Sequence, residues 1–320
     1  MRLSHSKIRT WRRCPKKYSF RYIDHLRPKQ KGIELERGSW IHSLLEAHYD
    51  GEDWRDKHKE LTTTFYNLFD EEREHLGDLP TECRGIMRRY LHHWKQSDRQ
   101  LKVIDSELNE IVDIGNGIEL NVIIDLIVED EMGLLWPWDH KTRKRFAEVD
   151  DMVLDPQLTL YFRALEIMGY KPLGGVVYNE INTTPPTKPQ LLKNGKALAK
   201  RKDLKCDVYT YMRELKRYGF SARDYRDYLL ALNERHAETF FKRTRLPKDP
   251  PQMRTMLDEV KMTRRQIALA EKREEFPRTF EPRNCKWDCE FLDLCIVQMH
   301  GGDISSIIKH DFEVSDRGKR

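Results

Sequence analysis

At 320 residues and 38.4 kDa the chain can hold one large domain or two ordinary ones with a sizeable core, which excludes a disordered tail. Its 58 Lys and Arg against 53 Asp and Glu give a net charge of +5, an excess that favours a local basic groove over a uniformly cationic surface. No apolar run approaches the roughly 18 residues of a membrane span, and the opening MRLSHSKIRTW lacks the apolar region of a secretory signal, so an intracellular, reducing location is expected.

The first predicted element is a short amphipathic helix capped by Ser4 or Ser6 and broken near Cys14-Pro15. A second helix starts at about Gly38, with Ile41, Leu44, Leu45 and His48 at helical spacing and His42 on it. From Trp54 to Lys95 the pattern is helical and charged, with Ile86, Tyr90, Leu91 and Trp94 as its apolar stripe. Between Leu101 and Lys141 the period changes to two, and turn signals at Gly-Asn-Gly and Glu-Met-Gly divide it into three strands of an antiparallel meander. Pro137 predicts an edge position or a distortion just before Asp139. A helix begun by Asp155-Pro156 and ended by Gly169 follows, then a fourth strand, LGGVVYNEI. Residues 1–182 therefore form an α/β core of helix, three-strand meander, helix and strand. Residues 183–275 form a mostly helical insertion, interrupted at RLPKDPPQ, and residues 276–320 a cysteine-rich segment packing back on the N-terminus.

The chemistry concentrates in LLWPWDHKT, residues 134–142. Asp139 and Lys141 are two apart on a strand and share a face, so a metal-binding carboxylate and an ammonium can meet one phosphate. Asp125 lies in the apolar strand VIIDLIV, where an unpaired carboxylate is costly, so it needs a metal, a cation or a hydrogen-bond network. A turn near residues 130–133 brings it beside Asp139, and two acids with water and phosphate oxygens suit Mg²⁺. His42 is a candidate nitrogen ligand or a structural histidine. Among the basic tracts, Arg143, Lys144 and Arg145 are the best candidates to track a phosphate backbone, because they adjoin Lys141.

Cys14, Cys285, Cys289 and Cys295 supply four thiolates, enough for a tetrahedral zinc site or a 4Fe-4S cluster. Cys83 and Cys206 stand apart as ordinary thiols.

Through LSHSKIRTWRRCPKKYSFRY, GSWIHSLLE, IIDLIV, WDHKT, QLTLY and the terminal cysteines, the chain resembles the RecB-like branch of the PD-(D/E)xK nuclease superfamily. That branch includes the nuclease domain of AddB and the CRISPR-associated and phage iron-sulfur exonucleases. The resemblance implies a restriction-endonuclease-like core and a Mg²⁺- or Mn²⁺-dependent deoxyribonuclease, acting as an exonuclease in recombination, repair or phage replication. It implies His42, Asp125, Asp139 and the backbone carbonyl of His140 as metal ligands, Lys141 as the catalytic lysine, and Gln157 and Tyr161 as the family's Gln-x-x-x-Tyr pair. Glu107 matches an acid of the family's first strand and could equally pair with an arginine. The resemblance favours the 4Fe-4S cluster over zinc, although Val122 replaces a usual glycine and Cys-x3-Cys replaces Cys-x2-Cys. The implied partners are DNA with free ends and a separate helicase or single-strand annealing protein, in the cytoplasm of a bacterial or phage-infected cell, with no membrane. The rival reading is a catalytically weak or inactive DNA-binding module that partners a helicase or recombination protein, and a zinc-containing nucleic-acid factor is a third.

Overall fold

The computed structural model describes residues 2–115, 117–247 and 249–315. Strand β1 (Arg2–Ser4) runs into α1 (His5–Arg13), whose cap is the Ser4 hydroxyl accepting from the Lys7 amide, and Cys14-Pro15 separates it from α2 (Pro15–Tyr18). After β2 (Leu26–Pro28), helix α3 (Ile33–Tyr49) begins ahead of the expected Gly38, because Glu34 and Glu36 favour the positive end of the helix dipole. The charged stretch that follows is three helices, α4 (Trp54–Tyr66), α5 (Asp70–Leu76) and α6 (Leu79–Trp94); α5 stops at Gly77 in a positive-φ conformation.

The expected meander is β3 (Lys102–Asp113), β4 (Glu119–Glu129) and β5 (Leu135–Arg143). Short α7 (Val149–Val153) precedes α8 (Pro156–Met168), where Asp155 caps the Gln157 amide and Gly169 takes the left-handed position past the end. Strand β6 (Gly175–Asn182) is the predicted fourth strand. The segment expected to be mostly helical contributes α9 (Val208–Arg217), α10 (Arg226–Arg235), then β7 (Phe241–Pro247) and α11 (Pro250–Arg273). Strand β7 pairs with β6 along its length and joins the sheet, an element the sequence did not announce because Lys242, Arg243 and Arg245 mask its apolar alternation. The chain closes with α12 (Pro282–Asp288), α13 (Leu292–Met299), α14 (Ser305–Asp311) and β8 (Phe312–Val314), the last paired with β2.

The main sheet runs β1-β4-β5-β6-β7, with β3 along the other side of β4. On the side away from β3, β4 pairs with β1 at residues 119–121 and with β5 at residues 126–129. Residues 122–125 thus face a fork between β1 and β5. Strand β5 is central, so Pro137 is not on an edge; it falls just before Trp138, where pairing passes from β4 to β6.

Helices α1, α8 and α11 cover one sheet face through Ile8, Trp11, Leu158, Leu165, Val260 and Ile267. Helices α3, α4 and α6 bury Trp40, Leu44, Phe65, Met87 and Tyr90 in a second cluster that includes Ile181 and Phe241 of the sheet. Along β4, Leu120, Val122, Ile124 and Ile127 join the first cluster, while Leu126 and Val128 join the tryptophans of β5. The alternation slips by one residue beside Asp125.

Candidate active site

Extending the β4–β5 ladder by one pair beyond Leu126–Trp138 sets Asp125 opposite Asp139, at the point where the strands diverge. In place of a further ladder bond, the His140 amide donates to Asp125 Oδ2 at 2.5 Å. The divergence is what frees two carboxylates on neighbouring strands to face common space, and both are buried, at 8% and 2% exposure.

Asp139, Lys141, Gln157 and Tyr161 form one hydrogen-bonded group. The Lys141 ammonium donates to Asp139 Oδ1 at 2.9 Å and to Gln157 Oε1 at 3.1 Å, and the Gln157 amide nitrogen donates to Asp139 Oδ1 at 2.9 Å and to the Tyr161 hydroxyl. The four-residue spacing of Gln157 and Tyr161 on α8 places them one above the other, as a helix requires. Asp139 Oδ2 lies 2.8 Å from the ammonium but outside hydrogen-bond geometry, and is a buried oxygen without a hydrogen bond. Burial pushes the Asp139 carboxyl up, and Asp125 adds to this, against the Lys141 charge.

A second group faces Asp125 from the other side. His42 Nδ1 is 3.3 Å from Asp125 Oδ1, and one ligand atom from each of His42, Glu107 and Asp125 lies within 4.8 Å of the others. Helix α3 approaches closely because Gly38 has no side chain: a Cβ there would stand 3.3 Å from the Thr142 hydroxyl of β5. Glu107, left open in sequence between metal ligand and arginine partner, is opposite Asp125 in the β3–β4 register, between the pairs Ser106–Leu126 and Leu108–Ile124. Its φ of 45° is a left-handed conformation that costs a non-glycine residue about 1–2 kcal/mol. Burial and then Asp125 raise its carboxyl to about 7. Burial opposes ionisation of Asp125 as well, but the His42 hydrogen bond and charge prevail and bring it down to about 2; the same pair lifts His42 to about 8 against burial.

These donors fit a divalent cation. Opposed acids of like charge, an imidazole in the same 4.8 Å group and an orphaned Asp139 oxygen are arranged as oxygen-rich ligand sets are. The expected ligands His42 and Asp125 are in that group; its third member is Glu107, whereas Asp139 stands next to it in the lysine network.

Behind β5 lies a polar network absent from the sequence reading. His140 Nδ1 meets Asn179 Nδ2 at 2.9 Å, Asn179 donates to the Tyr90 hydroxyl at 2.8 Å, and Arg243 donates to Tyr90 at 2.9 Å and to Asp98. The Arg243 guanidinium also sits 3.9 Å from the Trp94 ring and 4.4 Å from that of Trp138. Burial pushes His140 down to about 3, so its imidazole is neutral and can accept from Asn179. The network fixes the residue whose amide orients Asp125. In the basic tract, Arg143 pairs with the buried Glu180 at 3.2 Å and Lys144 turns away to Glu34 at 2.8 Å, while Arg145 is exposed.

The four clustered cysteines are free and half-buried in one corner of the fold. Cys14 follows α1; Cys285 lies on α12; Cys289 and Cys295 pack against Phe20, Phe291 and Leu294. The two chain ends are fastened there by Lys17 to Glu290 at 2.5 Å, Arg21 to Glu290 at 2.7 Å and Arg13 to Asp288 at 2.8 Å. A tetrahedral zinc site with bonds of about 2.3 Å needs sulfurs about 3.8 Å apart. No three cysteine sulfurs among the described residues gather within 4.8 Å, so the corner is not shaped around a single ion. Cys83 and Cys206 are fully buried, and burial pushes both thiols up to about 12, as inert core residues.

Among the described residues no helix is long and apolar enough to cross a membrane. A family model described as "PD-(D/E)XK nuclease superfamily" matches residues 2–296. No curated protein sequence matches the chain. Among solved structures, a crystal structure described as "Putative exonuclease" from Eubacterium rectale is similar at 11% identity and a TM-score of 0.51, covering 94% of this chain and 93% of its own. At that identity the likeness concerns the fold.

Proposed function

The chain belongs to the PD-(D/E)XK nuclease superfamily, and from that premise we propose that it hydrolyses phosphodiester bonds in DNA with Mg²⁺ or Mn²⁺. In this reading it works as an exonuclease at free ends in recombination, repair or phage replication. Cytoplasmic location, and a helicase or annealing protein on a separate chain, belong to the same proposal. The observation that carries it is the fork itself, where Asp125 and Asp139 face each other across diverging strands with Lys141 and Gln157 bonded to the second acid.

His42, Glu107, Asp125 and Asp139 are the side chains that would hold the metal, with the His140 carbonyl as the backbone donor. The chemistry supplied by a bound divalent cation there is Lewis acidity, which acidifies water and offsets charge on phosphate oxygens. Lys141 has the reach of both Asp139 and Gln157, so its ammonium is steered by two acceptors and can turn one N–H to the oxygen that gains charge during displacement. Gln157 bonds to both that lysine and Asp139, and Tyr161 anchors Gln157 from the next helical turn. His140, through its amide, holds Asp125 toward the same space.

The test is cleavage of end-labelled single- and double-stranded DNA with Mg²⁺ or Mn²⁺ by wild type, Asp139→Ala and Lys141→Ala. Loss of cleavage in both variants is the expected result; activity surviving both overturns the assignment.

The proposal extends to a 4Fe-4S cluster on Cys14, Cys285, Cys289 and Cys295. Its support is that α1–α2 and α12–α13 bring these four free thiols to one corner without shaping a single-ion site. When bound, a cluster there supplies a covalent tie between the two ends of the chain. Iron and acid-labile sulfide near four of each per chain are expected, and zinc in their place would refute the cluster.

A further inference from the structure

Beside Lys141 opens a cavity of about 650 Å³ whose walls carry two rows of basic side chains. One row is His5, Arg9 and Arg12 on α1, at spacings of four and three that put them on one helical face. The other is Lys141 and Arg143, two apart on one face of β5, with Arg145 in the bend that follows the strand. Lys144, on the opposite parity, leaves the row for Glu34. The fork explains the arrangement: β1 ends at Ser4 beside Asn121, so α1 starts next to the gap in which Asp125 sits.

Most of these side chains are already engaged, His5 with Asp155 at 3.2 Å, Arg12 with Glu259 at 3.4 Å, Lys141 with Asp139 and Arg143 with Glu180. Arg9 and Arg145 make no hydrogen bond or ion pair among the described residues, and they stand on opposite rows. The lining also includes Tyr178, 2% exposed, whose buried hydroxyl lies beside Asp155. Glu180, fully buried, accepts from the Ala147 amide at 2.9 Å as well as pairing with Arg143, so the second row is fixed from beneath. Asp151 and Asp155 are the acids on the walls, and Asp155 is engaged by the His5 imidazole at 3.2 Å.

We propose that this cavity binds a phosphomonoester at a DNA strand end, next to the bond that Lys141 addresses. An internal phosphodiester carries one charge and can be met by one guanidinium. A terminal monoester carries about −1.5 to −2 and three acceptor oxygens, which matches the two free guanidiniums of Arg9 and Arg145 lining one cavity. The inference rests on the nuclease reading for what lies beside the cavity, but its recognition step can be measured without cleavage.

The experiment uses the full chain and duplex or single-stranded oligonucleotides ending in 5′-phosphate, 3′-phosphate or hydroxyl at each end. Binding is measured without divalent metal, and cleavage with Mg²⁺. The expected result is about a tenfold preference in Kd for one phosphorylated end over its hydroxyl counterpart, the worth of one additional charge-assisted contact. In Arg9→Gln and Arg145→Gln that ratio falls below about threefold, whereas Arg163→Gln, a half-buried charge on α8 outside both rows, keeps it. The arm that shows preference identifies the end. Ratios near one for both ends in wild type overturn the pocket, as does a preference that survives both arginine changes. Preference in binding with no cleavage of any substrate overturns the nuclease reading and leaves the pocket standing; cleavage without preference does the reverse.

Discussion

At the acid fork, Asp125, Asp139 and Lys141 are placed by backbone pairing of β4, β5 and β6, and behind them Asn179, Tyr90 and Arg243 hold His140 in place. At the cysteine corner, Cys14 is joined to the segment bearing Cys285, Cys289 and Cys295 by ion pairs and by the small apolar cluster of Phe20, Phe291 and Leu294. Both regions collect ligand-type side chains, but the first is preorganised by the sheet and the second by contacts between distant ends of the chain. Like-charged acids are kept close at the fork only because the surrounding fold determines their positions. The corner's frame is smaller, the two-stranded β2–β8 pairing beneath its apolar cluster, so its geometry depends on the side-chain contacts that tie the ends together.

The widest separation between the regions is expected from Asp125→Asn, which keeps an acceptor for the His140 amide and removes the charge opposed to Glu107 and Asp139. Cleavage should fall by about a thousandfold or more with Tm within about 3 °C of wild type. Chelation of the divalent metal should match that loss, reversibly, with the melting curve still cooperative. A Tm collapse in Asp125→Asn would show that the fork is a structural brace and remove the contrast.

Next in size is Glu290→Ala. It strands Lys17, 8% exposed, without its carboxylate and frees Arg21, at a cost of about 2–4 kcal/mol. Because the loss is confined to the docking of the chain ends, limited proteolysis should cut between Arg273 and Asn284 well before it cuts the sheet, and cleavage at low temperature should persist. Equal proteolytic protection in variant and wild type would mean that the corner is held by something stronger than these pairs.

How far each region could be foreseen follows from the same contrast. Asp139 and Lys141 were legible because the strand period converts spacing directly into a shared face, Asp125 because a carboxylate inside VIIDLIV needs a reason, and Gln157 and Tyr161 only through the family resemblance. The four cysteines were legible as a group by composition, but not their mutual distances, which tertiary docking decides. Glu107 was ambiguous since its role depends on a left-handed backbone that no local signal announces. Asn179, Tyr90 and Arg243 were invisible for a related reason: they meet across three elements, and β7 hid among basic residues. The fork itself, with β1 filling one end of a strand edge and β5 the other, follows from a three-residue strand too short to read from sequence.

Glu107→Asn should have a smaller effect and opposite signs in the two readouts. Asparagine tolerates the left-handed region better than glutamate, and the change removes a charge opposite Asp125, so stability should rise by about 0.5–1 kcal/mol. Loss of a carboxylate beside His42 and Asp125 should raise the Mg²⁺ concentration for half-maximal cleavage by about tenfold. A gain in stability with unchanged metal requirement would confine Glu107 to a structural part and leave Asp139 as the nearer ligand.

The smallest expected effect, at Gly38, asks how tightly the sheet frame sets the helix that carries His42. Alanine there improves helix propensity by about 1 kcal/mol, but its Cβ would press on the Thr142 hydroxyl at 3.3 Å, so α3 or Thr142 must give by a few tenths of an ångström. These terms nearly cancel in stability, whereas the His42–Asp125 approach of 3.3 Å, one turn further along α3, absorbs the shift. Gly38→Ala should therefore leave Tm within about 2 °C and lower cleavage about two- to fivefold, a loss of under about 1 kcal/mol. Adding Thr142→Ala removes the obstructing hydroxyl and should return the rate most of the way, a non-additivity that contact between the two residues predicts. Strictly additive losses would mean that His42 reaches Asp125 independently of the close approach at Gly38, and that the frame ends at the sheet.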